Sequence, residues 1–155
     1  MTDFKENIIS QNKYLSSKEI DQYLNKISER ISEYNNLLLI PPDYTRKSSA
    51  LGKLTEKLYF KIVDFVENID ILPASGTHDP MDRDCLKSVF GDIPFNNFLE
   101  HNWRTETIKV GKIPAAKMEE FSEGELTEPL PLEINKNIFS DKYDLIVSLG
   151  QVIPH

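Results

Sequence analysis

The chain has 155 residues, of which 39% are hydrophobic and 28% are charged, a composition typical of one globular domain with a single core. Its 18 basic and 25 acidic residues give a formal net charge of -7 without any long basic run, so the sequence predicts no nucleic-acid or membrane partner. Cys85 is the single cysteine, and no apolar run is long enough for a membrane span or a signal peptide. We therefore expect a cytoplasmic protein.

An amphipathic helix over residues 17–34 is the first predicted element, because apolar residues recur there every three or four positions. Ser16 or Ser17 is the predicted N-cap, and residues 1–16 are expected to be a flexible tail. The next segment, residues 37–40, is a short apolar run that stops at two prolines. Such a run is typical of a strand buried on both faces of a parallel sheet.

A second helix is predicted from about Ser49 to Val66, with Ser48 or Ser49 as its N-cap. Its apolar stripe comprises Leu51, Leu54, Leu58, Ile62 and Phe65. Residues 69–73 are predicted to form a second strand, and residues 82–90 a third helix. This alternation predicts an α/β fold, a Rossmann-like three-layer domain with a mostly parallel sheet flanked by helices.

The second half of the chain has a less regular pattern. Residues 105–110 alternate as a strand, Gly111 is predicted to mark a turn, and residues 115–123 to form a short helix. A last strand is predicted over residues 143–149. Because no covering helix follows that strand, we expect residues 1–155 to be one domain of a longer protein whose C-terminal domain is absent.

Polar side chains follow three of the predicted strands. They are Asp43 and Arg46, then Thr77 and His78, and finally Gln151 and His155. Because the carboxyl ends of parallel strands meet at one edge of a sheet, we expect these side chains to converge on a small-molecule pocket. An arginine fork matches a carboxylate, and Asp43 can hold that fork or fix the tautomer of an imidazole. A loop salt bridge between Asp43 and Arg46 is the simpler alternative.

Histidine titrates near neutral pH, which suits His78 and His155 to act as general bases, although a loop histidine is often only solvated. Further candidates for the pocket are Tyr44, Gly76, His101 and Gln151. No metal-ligand spacing and no nucleotide-binding glycine loop occurs, so we predict no metal site within this segment.

Three motifs, PPDYTR at 41–46, GTHDPM at 76–81 and GQVIPH at 150–155, resemble the N-terminal domain of the nickel-dependent lactate racemase family. Residues 101–104 and 111–114 resemble a linking segment of many relatives. Members of that family interconvert the two hands of a 2-hydroxy acid with a nickel pincer nucleotide, which is derived from nicotinic acid and tethered to a lysine. The resemblance therefore implies an isomerase, a racemase or epimerase of lactate or a sugar acid.

The resemblance also implies roles for individual residues. Arg46 would bind the substrate carboxylate with support from Asp43 and Thr77, while His78 and His155 would be the two acid/base residues, one for each face of the substrate carbon. The residues that hold the cofactor in the family lie beyond residue 155, so the segment alone is expected to be inactive. Many members have Arg where this chain has Asp79, which leaves the substrate open.

Two other functions fit the same residues. One is a non-catalytic module in which Arg46 and the amides of Gly76 and Thr77 bind a carboxylate or phosphate. The other is a hydrolase whose metal is bound by His78, His155 and Asp43. The expected partners are a small hydroxy acid and the missing C-terminal domain.

Overall fold

The computed structural model describes residues 14–151. In chain order its helices and strands are α1 (Ser17–Ile31), β1 (Asn36–Ile40), α2 (Leu51–Ile62), β2 (Asn68–Ile71), α3 (Arg83–Phe90), β3 (Thr107–Ile113), α4 (Ala115–Phe121), β4 (Leu130–Asn135) and β5 (Leu145–Ser148). Short 3₁₀ helices form at Tyr44–Ser49, Phe95–Asn97 and Lys136–Phe139. No helix within residues 14–151 is both long and apolar enough to span a membrane.

The main sheet has three parallel strands in the order β2-β1-β5. Leu37 of β1 lies opposite Ile69 of β2 and Leu145 of β5. Helices α1, α2 and α3 pack against this sheet, so the predicted α/β class with a parallel sheet and flanking helices is confirmed.

The core lies between the helices and one face of the sheet. Leu37 and Leu39 of β1 belong to the cluster that contains the buried side chains of α1, α2 and α3. Leu38 points to the opposite face by strand alternation and is also fully buried. On that opposite face Asp70 accepts a hydrogen bond from Tyr143 Oη at 2.6 Å and pairs with Lys142. Both faces of β1 are therefore covered, as its uninterrupted apolar run predicted.

The first helix begins as predicted. Ser16 is the N-cap of α1, and its hydroxyl oxygen accepts a hydrogen bond from the Glu19 amide at 3.3 Å. The Glu19 carboxylate accepts one in return from the Ser16 amide, which completes a capping box. The third helix also agrees, with Asp82 as the N-cap of α3.

The prediction for α2 needs two corrections. The N-cap is Ala50 in a left-handed conformation, not Ser48 or Ser49, because the preceding residues already coil as a 3₁₀ helix. The helix ends at Ile62, and Phe65 of the predicted stripe is 43% exposed. Leu58 and Ile62 of the predicted stripe are buried, together with Gly52, Thr55 and Tyr59.

Strands β3 and β4 form a separate antiparallel ribbon. The predicted turn at Gly111 is wrong, because this glycine lies inside β3 beside a shift in register that begins after Lys109. A bulge explains both the glycine and the interrupted alternation. β4 itself was not predicted, since Pro131 obscures its pattern and only pairing with β3 reveals it. The short helix after β3 is confirmed as α4.

Candidate active site

The order of the strands determines where a ligand can bind. β1 is followed along the chain by β2 on one side, whereas β5 lies on its other side. The strand order therefore reverses at β1, and ligands of open α/β sheets bind at such a point, beyond the carboxyl ends of the strands. The loops that carry the candidate residues leave the sheet at this edge.

Pairing between the first two loops continues past the ends of their strands. Pro42 and Ala74 form an isolated parallel bridge, and the Ala74 amide donates to the carbonyl oxygen of Pro41 at 2.8 Å. Parallel neighbours lie about 4.8 Å apart, so this bridge keeps the two loops within side-chain reach of each other. Asp43 directly follows Pro42, and His78 lies four residues after Ala74.

Asp43 joins the two loops. One of its carboxylate oxygens, Oδ2, lies 2.6 Å from Nδ1 of His78. The other, Oδ1, accepts hydrogen bonds from the Thr45 amide at 3.1 Å and the Thr45 hydroxyl at 2.5 Å. Asp43 is only 3% exposed, so its carboxylate is held by hydrogen bonds rather than by water.

These contacts lower the pKa of Asp43. Burial on its own raises that pKa, but the hydrogen bonds from Thr45 and His78 together lower it below the ordinary value for aspartate. An ionised carboxylate can only accept a hydrogen bond, so Nδ1 of His78 carries a proton. In the neutral ring the lone pair is then on Nε2, the nitrogen that a general base uses.

A tight turn presents His78 to solvent. The His78 amide donates to the carbonyl oxygen of Ser75 at 3.0 Å, and Gly76 has φ +57°, a conformation that favours glycine. Ser75 is buried, whereas Thr77 and His78 are exposed. The turn is therefore buried where it begins, at Ser75, and its Thr77 and His78 side chains are accessible to solvent.

Arg46 lies on the 3₁₀ helix that Asp43 caps. Its side chain is exposed, and among residues 14–151 its guanidinium has no hydrogen-bond or ion-pair partner. The loop salt bridge is not formed, because the oxygens of Asp43 contact Thr45 and His78 instead. Tyr44 lies beside His78, with 6.0 Å between the ring centroids. The Arg46 guanidinium is available to an anion.

The remaining candidates fall into three groups. Gln151 is exposed at the end of the described chain, after β5. His155 lies outside the described residues, so its predicted convergence with His78 stays a prediction. His101 makes no hydrogen bond to Asp43 or His78, and its Nδ1 is 2.8 Å from Nδ2 of Asn135.

Two contributors were not assigned a role from the sequence. Thr45 is found by a local signal, since aspartate commonly binds the amide two residues later. Asn135 has no such signal, because its contact with His101 spans 34 residues. Among residues 14–151, no three histidine, cysteine or carboxylate side chains are grouped as metal ligands.

Comparison with known proteins shows a family and a solved structure to which this chain is similar. Residues 7–155 match the protein family described as lactate racemase N-terminal domain. A crystal structure of a protein from Thermotoga maritima matches with a TM-score of 0.76 and 27% sequence identity, covering 90% of this chain and 34% of that chain. The chain thus spans about a third of the length of this relative. None of the curated proteins matches.

Proposed function

Because the chain belongs to the lactate racemase N-terminal domain family, we propose that it supplies substrate-binding and acid/base residues to a racemase or epimerase of 2-hydroxy acids. The observation that carries this proposal is the 2.6 Å contact between the buried carboxylate of Asp43 and Nδ1 of His78. An imidazole held in one tautomer by a buried carboxylate is a common device for moving a proton.

In the proposed reaction, His78 Nε2 takes the hydroxyl proton, and a bound cofactor would supply the acceptor to which the hydrogen on C2 passes as hydride, so that C2 becomes a ketone carbon. Return of the hydride to the opposite face would invert C2. The second face requires a second base, and His155 is the candidate by its place in the matching motif. Asp43 stabilises the imidazolium that forms on His78.

The substrate carboxylate fits Arg46. Its guanidinium is exposed on the same loop as Asp43 and provides two parallel donors for a carboxylate. The Thr77 hydroxyl on the neighbouring turn can donate a further hydrogen bond. Together these groups orient the 2-hydroxyl towards His78.

The nickel pincer nucleotide implied by the family would accept the hydride from C2 and return it. We assign no nickel ligand to the described residues, among which no three metal-ligating side chains are grouped. Two groups have no hydrogen-bond partner among the described residues, namely the Nε2 lone pair of His78 and the Arg46 guanidinium. Both could bind a substrate that lies against such a cofactor. Residues 14–151 thus fit the substrate side of the site.

The arrangement of Asp43 disfavours the hydrolase alternative. A shared metal ligated by Asp43 and His78 would compete for the carboxylate oxygens that Thr45 and His78 already occupy. A simple anion-binding module would need Arg46 but not an imidazole paired with a buried carboxylate. We therefore favour acid/base chemistry over both.

The test is racemisation by the full-length protein loaded with its cofactor, followed by chiral chromatography. We expect His78→Gln to reduce kcat by roughly 10²- to 10⁴-fold, because glutamine cannot take up the proton. Lys112→Gln, at an exposed position on β3, is the matched control and should keep the wild-type rate. Equal rates for wild type and His78→Gln would refute the proposed role of His78.

A further inference from the structure

His78 contacts a second side chain besides Asp43. The ring centroids of Tyr44 and His78 lie 6.0 Å apart, and the two ring planes are inclined by 49°. Aromatic side chains attract each other at centroid separations of about 4.5–7 Å, and such a contact restrains the orientation of both rings. Tyr44 and His78 belong to different loops, so the bridge between Pro42 and Ala74 is what brings the two rings together.

The hydrogen bond to Asp43 does not by itself fix the imidazole of His78. The His78 side chain is 49% exposed, and the 2.6 Å contact between its Nδ1 and Asp43 Oδ2 is the only hydrogen bond of the ring among residues 14–151. A hydrogen bond keeps most of its strength over a range of angles at the proton, roughly 150–180°, so it holds Nδ1 but leaves the ring plane some freedom. The direction of Nε2 therefore depends on a second contact.

The backbone on both sides of Tyr44 is fixed by hydrogen bonds. Tyr44 begins the 3₁₀ helix that Asp43 caps, and the Arg46 amide donates to the carbonyl oxygen of Asp43 at 3.1 Å. The Thr45 amide donates to Asp43 Oδ1, also at 3.1 Å. Asp43 therefore orients the imidazole directly, through Oδ2, and also determines where the backbone of Tyr44 lies.

Neither core packing nor a hydrogen bond of its hydroxyl explains the place of Tyr44. This residue is 45% exposed, and its hydroxyl has no hydrogen-bond partner within residues 14–151. In the same part of the chain, His78 is the one aromatic ring that it contacts. The contact with the imidazole is thus the side-chain interaction that the described structure gives to Tyr44.

We propose that Tyr44 is a positioning residue for His78, whose ring limits the rotation of the imidazole and so keeps Nε2 directed at the substrate hydroxyl. This inference rests on the proposed function. A general base that turns away from its proton slows the reaction, whereas the bond between Arg46 and the substrate carboxylate is unaffected. The contribution of Tyr44 is therefore to kcat rather than to KM.

Kinetics of the cofactor-loaded full-length protein test this role. We expect Tyr44→Leu to lower kcat roughly two- to tenfold, the effect of losing one aromatic pair, and to change KM by less than about twofold. Tyr44→Phe keeps the ring and should restore kcat to within about twofold of the wild-type value. A wild-type kcat in Tyr44→Leu would overturn the inference. So would an equal loss in Tyr44→Phe, because the hydroxyl would then be the active group.

Phe139→Leu is the matched control. Phe139 is 54% exposed and also lies on a 3₁₀ helix, but no aromatic ring contacts it among residues 14–151. Its replacement should leave kcat and KM unchanged. An equal decrease of kcat in Phe139→Leu and Tyr44→Leu would show a general effect of removing an exposed aromatic side chain, and would contradict the role of Tyr44.

NMR measures the orientation of His78 without turnover. Three-bond couplings between Hα and the two Hβ protons of His78, recorded on the full-length protein with labelled histidine, report the rotamers about χ1. We expect these couplings to indicate one rotamer in wild type and in Tyr44→Phe, and an average over several in Tyr44→Leu. Unchanged couplings in Tyr44→Leu would overturn the inference, as would averaged couplings together with a wild-type kcat.

The variants also distinguish the two proposals. If His78→Gln loses activity while Tyr44→Leu keeps the wild-type kcat and couplings, only the inference about Tyr44 fails. If His78→Gln keeps the wild-type rate, the proposed function fails, and the inference about Tyr44 fails with it.

Discussion

Asp43 shows how much one buried side chain contributes to this site. Its loop turns because Oδ1 accepts the Thr45 amide and hydroxyl, and the same geometry aims Oδ2 at His78. Thr45 is thus a positioning residue, since it touches the carboxylate and not the imidazole. The three side chains act as one unit, and changes to them are not expected to be additive.

Replacing Asp43 by asparagine tests that unit. We expect Asp43→Asn to lower kcat by on the order of 10³-fold with a smaller change in KM, because the amide no longer stabilises the imidazolium or enforces one tautomer. Initial racemisation rates of the cofactor-loaded full-length protein measure both constants. Thr45→Val, which keeps the carboxylate, should have a smaller effect. A kcat unchanged by Asp43→Asn would remove Asp43 from the mechanism.

The same variant has a pH-dependent effect on stability. An unfolded aspartate titrates near pH ~3.9, and the pKa of folded Asp43 lies lower because hydrogen bonds from Thr45 and His78 outweigh its burial. The contribution of Asp43 to the free energy of unfolding is therefore complete above its pKa in the unfolded chain. That contribution is lost as pH falls through its pKa in the folded protein. At pH 7 we expect Asp43→Asn to lower the free energy of unfolding by about 1–3 kcal/mol.

Urea denaturation from pH 7 to pH 3 measures this difference. The difference in the free energy of unfolding between wild type and Asp43→Asn should become smaller below pH ~4, where the wild-type carboxylate gains a proton. Other carboxylates with lowered pKa, such as Glu19 and Asp21, are common to both proteins and cancel. A gap that is constant across this range would argue against an ionised Asp43.

At the scale of elements, the close approach of α2 and α3 depends on one glycine. A Cβ at Gly52 would overlap the carbonyl oxygen of Val89 and lie 2.8 Å from its Cγ1. Both residues are buried, and Val89 belongs to the core cluster. α2 also follows the loop that carries Asp43, so its position affects the site.

We expect Gly52→Ala to destabilise the domain by about 1–3 kcal/mol, because the backbone of α3 has to shift. Gly111→Ala is the matched control. Its added Cβ would meet only Leu132 at 3.9 Å, so the free energy of unfolding should change little. Denaturant unfolding followed by circular dichroism compares the two variants. Equal effects of both substitutions would contradict the packing argument.

At the scale of the whole molecule, the ribbon of β3 and β4 differs from the rest of the domain in how little of its apolar side is buried. Its paired residues place Ile108, Leu130, Leu132 and Ile134 on one side by strand alternation. Three of these remain exposed, at 39% for Ile108, 45% for Leu130 and 42% for Leu132. A two-stranded ribbon without a covering layer is only marginally stable in water.

Hydrogen exchange should therefore divide the chain into two parts. We expect the amides of β3 and β4 to open at a free energy lower by on the order of 2 kcal/mol or more than those of β1, which lies in the core. Native-state exchange followed by NMR measures each amide. The amides of the central residues of α2 are the control and should open at the same free energy as those of β1. Exchange of all these amides at one common free energy would refute the division.

Much of the main sheet could be predicted from the sequence because its signals are local. The apolar run of β1, the periodicity of α1 and the capping residues Ser16 and Asp82 each lie within a few residues of the element they define. The start of α2 was missed, because the 3₁₀ helix before it takes up the serines expected to cap it. β4 was missed for a different reason, since its strand character depends on pairing with β3.

For the site, the sequence by itself determined the chemical groups and the edge of the sheet at which they lie. Asp43, Arg46 and His78 follow from strand ends, since parallel strands bring their carboxyl ends together. Their pairing was decided only by the tertiary structure. Asp43 could have bound Arg46 three residues away, but the bridge between the two loops brings His78, 35 residues away, to its second oxygen. Hydrogen bonds form where the fold brings donor and acceptor together, and separation along the chain does not reveal that distance.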